Sequence, residues 1–148
     1  MDVATPGDCA TASLKIRGME IDAFADLTGD DNPIHLDSEY AQQVGASRLV
    51  EANGTAGAAA GPFDGRVAHG MLTASVISSA VAKLPGDIVY LSQDLTFEGP
   101  VYAGETVTAT VSVTESLGED HRRLHTTAAV DDTTVVSGEA VVLTYPSR

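Results

Sequence analysis

The spacing of hydrophobic and polar residues is typical mainly of helices in the first part of the chain and of strands in the last part. Residues Ala12–Arg17 alternate and predict a first strand. Apolar residues within Ile21–Leu27 then recur at helical spacing, and Gly29 is typical of a helix end. Ser38–Val44 predicts a short helix with Ser38 as its cap, whereas Gly45–Gly65 is rich in Gly and Ala and predicts a long loop.

The segment His69–Leu84 carries the strongest helical pattern in the chain. Its apolar residues cover most of the helix circumference, and only small residues separate them. A helix that is apolar nearly all round is typically buried. Pro85 and Gly86 end it.

Four segments with strand character follow this helix. Their predicted bounds are Ile88–Phe97, Glu105–Glu115, Arg122–Asp131 and Thr134–Tyr145. Turns are predicted at Gly118–Asp120 and Asp131–Asp132.

One long buried helix followed by long antiparallel strands predicts an α+β hot-dog fold, in which a curved sheet wraps the central helix. The length is consistent with a single domain over residues 1–148. Because such a sheet ends in an edge strand that another copy can cover, we expect a homodimer.

The charge of the chain excludes several classes of partner. Its formal net charge is −13, with eight Lys and Arg against 21 Asp and Glu. Nucleic acids and anionic membranes bind clusters of basic residues, so we expect neither as a partner. No apolar run approaches the roughly 20 residues of a membrane helix, and no secretory signal is recognised, which makes cytoplasm the expected location. The single Cys9 excludes an internal disulfide.

A first group of candidate functional residues lies in the segment Gly29–His35, where Asp30 and His35 flank Asn32 and Pro33. Asn32 can cap a new helical turn that begins with Pro33. Such a turn could hold a carboxylate and an imidazole beside one water molecule, an arrangement suited to general acid–base chemistry. The same residues are also ordinary turn formers.

A second group is Gly65–Met71, at the start of the predicted central helix. A helix N-terminus offers unpaired N–H groups and a partial positive charge. Gly70 would let a ligand approach the backbone, so its N–H could bind an oxygen that becomes negatively charged. Alternatively, Gly70 only allows close helix packing.

Other chemistry finds little support in the sequence. His121 and His125 share one face of a strand, but two histidines without a third ligand make a poor metal site, and we expect a solvated face. Nucleophile-elbow, phosphate-loop and dinucleotide motifs are absent from the sequence. We therefore expect no metal.

Taken together, the two groups resemble the MaoC-like hydratases, which include the (R)-specific enoyl-CoA hydratases. The pattern Phe24-x-x-x-Thr-Gly-Asp-x-Asn-Pro-x-His35 is similar to the hydratase motif of that family. Gly65–Met71 resembles the start of its central helix, and Phe97–Val107 resembles the strand and turn that follow. The three matches occur in the family's order.

The resemblance implies a hot-dog homodimer that reversibly hydrates trans-2-enoyl-CoA to (R)-3-hydroxyacyl-CoA. Asp30 and His35 would be the catalytic pair, and Gly70 would supply the oxyanion N–H. Three further residues would contribute to substrate binding: Asn32, Ser78 and His69. The CoA thioester would be the substrate and no cofactor would be needed. Fatty-acid breakdown and the supply of polyhydroxyalkanoate precursors are pathways that such an enzyme can serve.

The sequence departs from compact members of that family between His35 and His69, where extra residues fall around Ser47–Pro62. The acyl chain length is therefore left open. Few cations are available for the CoA phosphates: Lys83, Arg48, Arg66, Arg122 and Arg123.

The sequence leaves three alternative functions open. An acyl-CoA thioesterase would use the same fold, but it needs a carboxylate on or near the central helix, and His69–Leu84 contains none. The chain could also hydrate a branched or dicarboxylic CoA substrate. A non-catalytic module that binds acyl thioesters is the third alternative.

The scattered acids and scarce lysines are typical of a protein adapted to high salt. Molar salt reduces the Debye length to about 3 Å and screens the self-repulsion of such a surface. We expect the midpoint of thermal unfolding to rise between dilute buffer and molar KCl. A protein equally stable and active in dilute buffer would contradict this adaptation.

Overall fold

The computed structural model describes residues 2–44 and 63–148, so the predicted loop at residues 45–62 lies outside the described residues. The described helices are α1 (Gly18–Thr28), α2 (Pro33–Leu36), α3 (residues 38–44) and α4 (Gly70–Val81). The strands are β1 (Cys9–Ile16), β2 (Asp87–Gln93), β3 (Thr96–Phe97), β4 (Glu105–Ser116), β5 (His121–Val130) and β6 (Thr133–Tyr145).

The strands form one antiparallel sheet in the order β1-β4-β5-β6-β2, with β3 paired to β6 beyond the end of β2. Where apolar and polar residues alternate along a strand, the alternation fixes which face is buried. In β4, the residues Val107, Ala109, Val111 and Val113 are buried while Thr106, Thr108 and Thr110 are exposed, as the sequence pattern predicts.

The central helix α4 packs across β1, β4 and β5. Val76, Ile77, Ala80 and Val81 line its buried face and are at most 2% exposed. The core therefore consists mainly of aliphatic side chains between this helix and the sheet. Among the described residues, no helix is both long and apolar enough to cross a membrane.

The expectation that the central helix is buried on nearly all sides is wrong for the single chain. Met71 is 59% exposed, and Ser75, Ser78 and Ser79 are exposed as well. The helix is also shorter than predicted, because it begins after His69 and passes into a turn after Val81. Composition alone could not reveal the exposed face, because small residues fit both buried and exposed positions.

Two other predicted boundaries need correction. Asp37, not Ser38, caps the helix at residues 38–44, since its Oδ1 accepts a hydrogen bond from the Tyr40 N–H at 3.1 Å. The predicted strand Ile88–Phe97 is divided into β2 and β3 around Asp94. The Asp94 Oδ1 accepts from the Glu139 N–H at 3.0 Å, so a side chain replaces a main-chain partner at this point.

Candidate active site

The turn after α1 places the first predicted catalytic group. Gly29 ends the helix with φ of 77°, a left-handed conformation that suits glycine, and its N–H bonds to the Ala25 carbonyl at 2.8 Å. The Thr28 hydroxyl then accepts from the Asp30 N–H at 3.2 Å. These local bonds fix the backbone at Asp30, whose side chain is 53% exposed.

The second group lies on the short helix α2. The Asn32 side chain accepts a hydrogen bond from the Ile34 N–H at 3.3 Å, and Pro33 occupies the first turn, as predicted. His35 follows in this turn and is buried, with 8% exposure. The Asn32 carboxamide oxygen therefore stabilises the turn that carries His35.

The extended segment Arg66–His69 holds this turn from the opposite side. The Val67 N–H bonds to the Ile34 carbonyl at 3.1 Å, and the Val67 carbonyl accepts from His35 Nδ1 at 2.7 Å. Arg66 Nε donates to the His35 carbonyl at 2.7 Å, and its guanidinium also pairs with Asp22 on α1. Both sides of His35, backbone and ring, are therefore bonded to one segment.

These bonds determine the state of the imidazole. A carbonyl oxygen can only accept, so Nδ1 of His35 carries the hydrogen, and in the neutral ring Nε2 is free to accept. Nε2 lies 3.9 Å from Oδ1 of Asp30. At that separation, one water molecule displaced from the line between the two atoms can donate a hydrogen bond to each, at about 2.8 Å.

Burial lowers the pKa of His35 below its ordinary value, because a charged ring would lose solvation. The bond to the Val67 carbonyl opposes this effect, His69 adds to it, and Asp30 opposes it. The net direction keeps His35 neutral near pH 7, which leaves Nε2 able to accept a proton.

Gly70 provides a third feature of the site. It is the first residue of α4, where backbone N–H groups have no carbonyl partner within the helix. A Cβ built on Gly70 would lie 2.8 Å from Cε1 of Phe97. The absence of a side chain therefore leaves room for the Phe97 ring and keeps the helix N-terminus open to a ligand.

Asp30, His35 and Gly70 line one cavity of about 570 Å³. Most of its other wall residues are apolar. They come from α2, from the segment before the central helix, from that helix, from the segment that follows β3 and from the sheet: Ile34, Phe63, Val67, Ala68, Met71, Phe97, Pro100, Val101 and Val136. His69, Thr73, Glu98 and Gly99 complete the wall. A mainly apolar pocket with a few converging polar groups is typical of a small-molecule site.

The arrangement of the two histidines does not suit the binding of one metal ion. Donor atoms of Asp30, His35 and His69 lie within 4.8 Å of one another. The two imidazole rings, however, are stacked at 3.9 Å with an interplanar angle of 28°. Because an imidazole binds a metal along its ring plane, at about 2.0 Å, two stacked rings do not direct their nitrogens at one ion.

Some of the predicted site residues lie outside the wall of this cavity. Ser78 lies on the exposed face of α4, two turns beyond Gly70, and is not part of the cavity wall, and Asn32 supports the wall from outside it. His121 and His125 are exposed on β5.

The candidate phosphate ligands that the structure describes already have protein partners. Arg122 is 6% exposed and its Nε donates to the Ala4 carbonyl, whereas Arg123 pairs with Glu115 and Glu139. Lys83 donates to the Thr11 carbonyl at 3.1 Å. Arg48 lies outside the described residues.

Sequence reasoning missed three contributions to the site. It gave no role to Phe97 and Met71 in the cavity wall, and it did not foresee the bond from Arg66 to the His35 carbonyl. Phe97 lies within the third family-like segment, and this was the available signal. The contact from Arg66 had no local signal, because it joins positions far apart along the chain.

The sequence of residues 53–137 matches the family model of the MaoC-like domain. The chain belongs to the MaoC-like family. It is 37% identical to an (R)-specific enoyl-CoA hydratase of Rhodospirillum rubrum, over 96% of this chain and 88% of that protein. It is also 39% identical to a 3-hydroxybutyryl-CoA dehydratase of Methylorubrum extorquens, over 86% of this chain and 73% of the relative.

The fold of this MaoC-like chain also matches a solved structure. The (R)-hydratase from Aeromonas caviae, described as involved in PHA biosynthesis, superposes with a TM-score of 0.75 at 33% identity, covering 98% of each chain. The hot-dog fold predicted from the sequence is thereby confirmed. The predicted resemblance to this family is confirmed as well.

The bond from Arg66 to His35 leads to a stability prediction for this MaoC-like chain. We expect Arg66→Gln to lower the free energy of unfolding by about 1–3 kcal/mol, because a charged donor to a part-buried carbonyl is lost. Arg17→Gln is the matched control, since the side chain of Arg17 pairs with the nearby Glu20 at the surface and its replacement should cost clearly less. Urea unfolding measures both, and equal losses would contradict the role given to Arg66.

Proposed function

We propose that this chain is an (R)-specific enoyl-CoA hydratase that reversibly converts trans-2-enoyl-CoA to (R)-3-hydroxyacyl-CoA. The observation that carries the proposal is the meeting of an exposed carboxylate, a neutral imidazole and a helix N-terminus in one apolar cavity. The names of the two relatives above support the same reaction class, a hydro-lyase acting on an acyl-CoA.

Hydration requires an oxygen to bond the β-carbon while the α-carbon gains a proton. In the proposed mechanism, a water bound by Oδ1 of Asp30 and Nε2 of His35 directs its lone pair at the β-carbon. As the C–O bond forms, the π electrons move to the thioester oxygen, where the Gly70 N–H stabilises the developing enolate. The pair accepts one proton from the water and returns one to the α-carbon, which restores the thioester carbonyl.

The two acid–base groups act as a pair in this scheme. Both accept hydrogen bonds from the water, so the proton that leaves it belongs to the coupled pair. Water is the only co-reactant that the hydration consumes. We accordingly propose that no metal or redox cofactor takes part, with the CoA thioester as the substrate.

The apolar wall suggests how the substrate lies. The acyl chain would pack against residues such as Val101 and Val136, with the thioester carbonyl near Gly70 and the CoA moiety towards the open side of the cavity. Asn32 would support this geometry through the turn of His35. The substrate-binding role of Ser78 stays a prediction, because it lies outside the cavity of the single chain.

The alternatives differ in their products. A thioesterase would release free CoA, and it would need a carboxylate near the carbonyl carbon, which α4 does not supply. A module that only binds acyl thioesters would turn over neither substrate nor product. A role in polyhydroxyalkanoate precursor supply or fatty-acid breakdown, the cytoplasmic location and a single domain over residues 1–148 stay predictions.

We also propose that the enzyme is a homodimer joined along β2. At one edge of the sheet, β1 presents mainly polar side chains such as Thr11, Ser13 and Lys15. At the other edge, Val89 and Leu91 of β2 are 48% and 50% exposed. An apolar free edge favours pairing with another strand. A second copy would cover it.

The catalytic proposal is tested by Asp30→Asn. Crotonyl-CoA hydration, followed as loss of enoyl absorbance, should fall about 10²- to 10⁴-fold because the carboxylate can no longer accept the proton. Asp31→Asn is the control, since this exposed neighbour carries the same charge outside the cavity wall and should retain the wild-type rate. An Asp30→Asn enzyme with near wild-type turnover would remove Asp30 from the mechanism, and thiol release by the wild type would favour the thioesterase.

The dimer is tested by placing a charge on its proposed edge. Sedimentation equilibrium should give the wild type twice the chain mass of 15.2 kDa, whereas Val89→Lys should sediment as a single chain. Thr11→Lys adds the same charge to the other edge strand and should remain dimeric. A monomeric wild type, or dissociation by Thr11→Lys alone, would contradict an interface at β2.

A further inference from the structure

His69 occupies a more central place in the site than a wall residue requires. It is 1% exposed and immediately precedes Gly70 at the start of α4. One contact of its ring is the stack on His35, with centroids 3.9 Å apart. Another is Phe24 of α1, at 4.7 Å and a tilt of 53°. The ring is thus fixed by packing between two aromatic groups.

The nitrogens of His69 are directed at the protein rather than at a substrate. Nε2 donates to the backbone carbonyl of Asp30 at 2.8 Å. Nδ1 is buried and has no hydrogen-bond partner among the described residues. Because one nitrogen is engaged and the other is enclosed, the ring offers no polar atom to an acyl thioester. This placement argues against the substrate-binding role expected from the resemblance.

We propose that His69 is a positioning residue, whose stack on His35 and hydrogen bond to Asp30 fix the two groups relative to each other and to Gly70. The proposal rests on the proposed hydratase function and names a further residue of the same site. Its basis is that the ring of His69 contacts both His35 and the main chain of Asp30. His69 also directly precedes Gly70, whose N–H would bind the enolate.

The groups around His35 act on its pKa in opposite directions. The ring faces the Asp30 carboxylate, the Val67 carbonyl and the ring of His69, while the guanidinium of Arg66 bonds its main chain. Burial lowers the pKa of His35, the bond to Val67 raises it, His69 lowers it and Asp30 raises it. His69 therefore affects the acid–base behaviour of its stacked neighbour as well as its position.

Two substitutions test the stack on His35 and the hydrogen bond to Asp30 independently. His69→Phe keeps a flat ring against His35 and removes the donor to Asp30, whereas His69→Gln keeps an amide donor near the position of Nε2 and removes the ring. We expect kcat for crotonyl-CoA to fall about 10- to 100-fold in His69→Phe, because small displacements of reacting groups are costly. His69→Gln should fall less, and KM should change less than about threefold in both. His125→Gln, an exposed histidine on β5, is the control and should match the wild type.

A second readout does not depend on turnover. Ring ¹⁵N NMR can follow His35, since the chain has only four histidines. The wild type should show His35 protonated at Nδ1 in its neutral form. In His69→Phe the pKa of His35 should rise, because His69 lowers it in the wild type, and the acid limb of kcat/KM should move to higher pH. A merely structural role would lower stability without moving this limb.

The outcomes separate the two proposals. A wild type that hydrates no 2-enoyl-CoA would overturn the proposed function, and the NMR comparison would then decide on His69 alone. An unchanged His35 pKa in His69→Phe would overturn the positioning role, as would wild-type kcat in both variants. Reduced kcat together with a shifted His35 pKa in the folded His69→Phe variant would support it.

Discussion

The site depends on the hydrogen bonds of the extended segment Arg66–His69. This segment joins two parts of the chain that have little regular structure to support them. On one side it bonds Ile34 and His35 of the turn after α1, and on the other it forms a bridge between Val67 and Tyr102. The N–H groups of this turn bond locally, whereas its carbonyls at Asp30, Ile34 and His35 accept hydrogen bonds from this segment. The separation of Asp30 and His35 is set as a consequence.

Unequal burial gives the paired groups different properties. The Asp30 side chain is half exposed and keeps access to solvent, whereas His35 is enclosed and stacked on His69. Enclosure disfavours the charged imidazole, and the Val67 carbonyl fixes its hydrogen on Nδ1. The result is a charged acceptor and a neutral acceptor on one side of an apolar cavity. Acid–base chemistry on a water molecule needs such a pair, and the nearby helix N-terminus can stabilise negative charge on the organic reactant.

The sheet and the central helix serve this arrangement by supplying rigid walls. Gly70 has no side chain where the Phe97 ring approaches, so a strand residue and a helix start meet closely. Val136 of β6 pairs with Phe97 of β3, which connects the cavity wall to the sheet. Gly70 and Phe97 therefore lie on elements that belong to the central helix and the sheet rather than on a loop.

The sequence by itself determined the periodic elements and the positions of Asp30, His35 and Gly70, because alternation in β4 and the turn chemistry around Asn32 and Pro33 are local properties. Tertiary structure alone decided other features. The break of the predicted strand at Asp94 depends on a bond to Glu139, and the exposed face of α4 depends on which side meets the sheet. The contacts of His69 with Asp30 and of Arg66 with His35 join residues more than thirty positions apart. Spacing along a chain carries no record of such contacts, since they form only when packing brings distant backbone groups together.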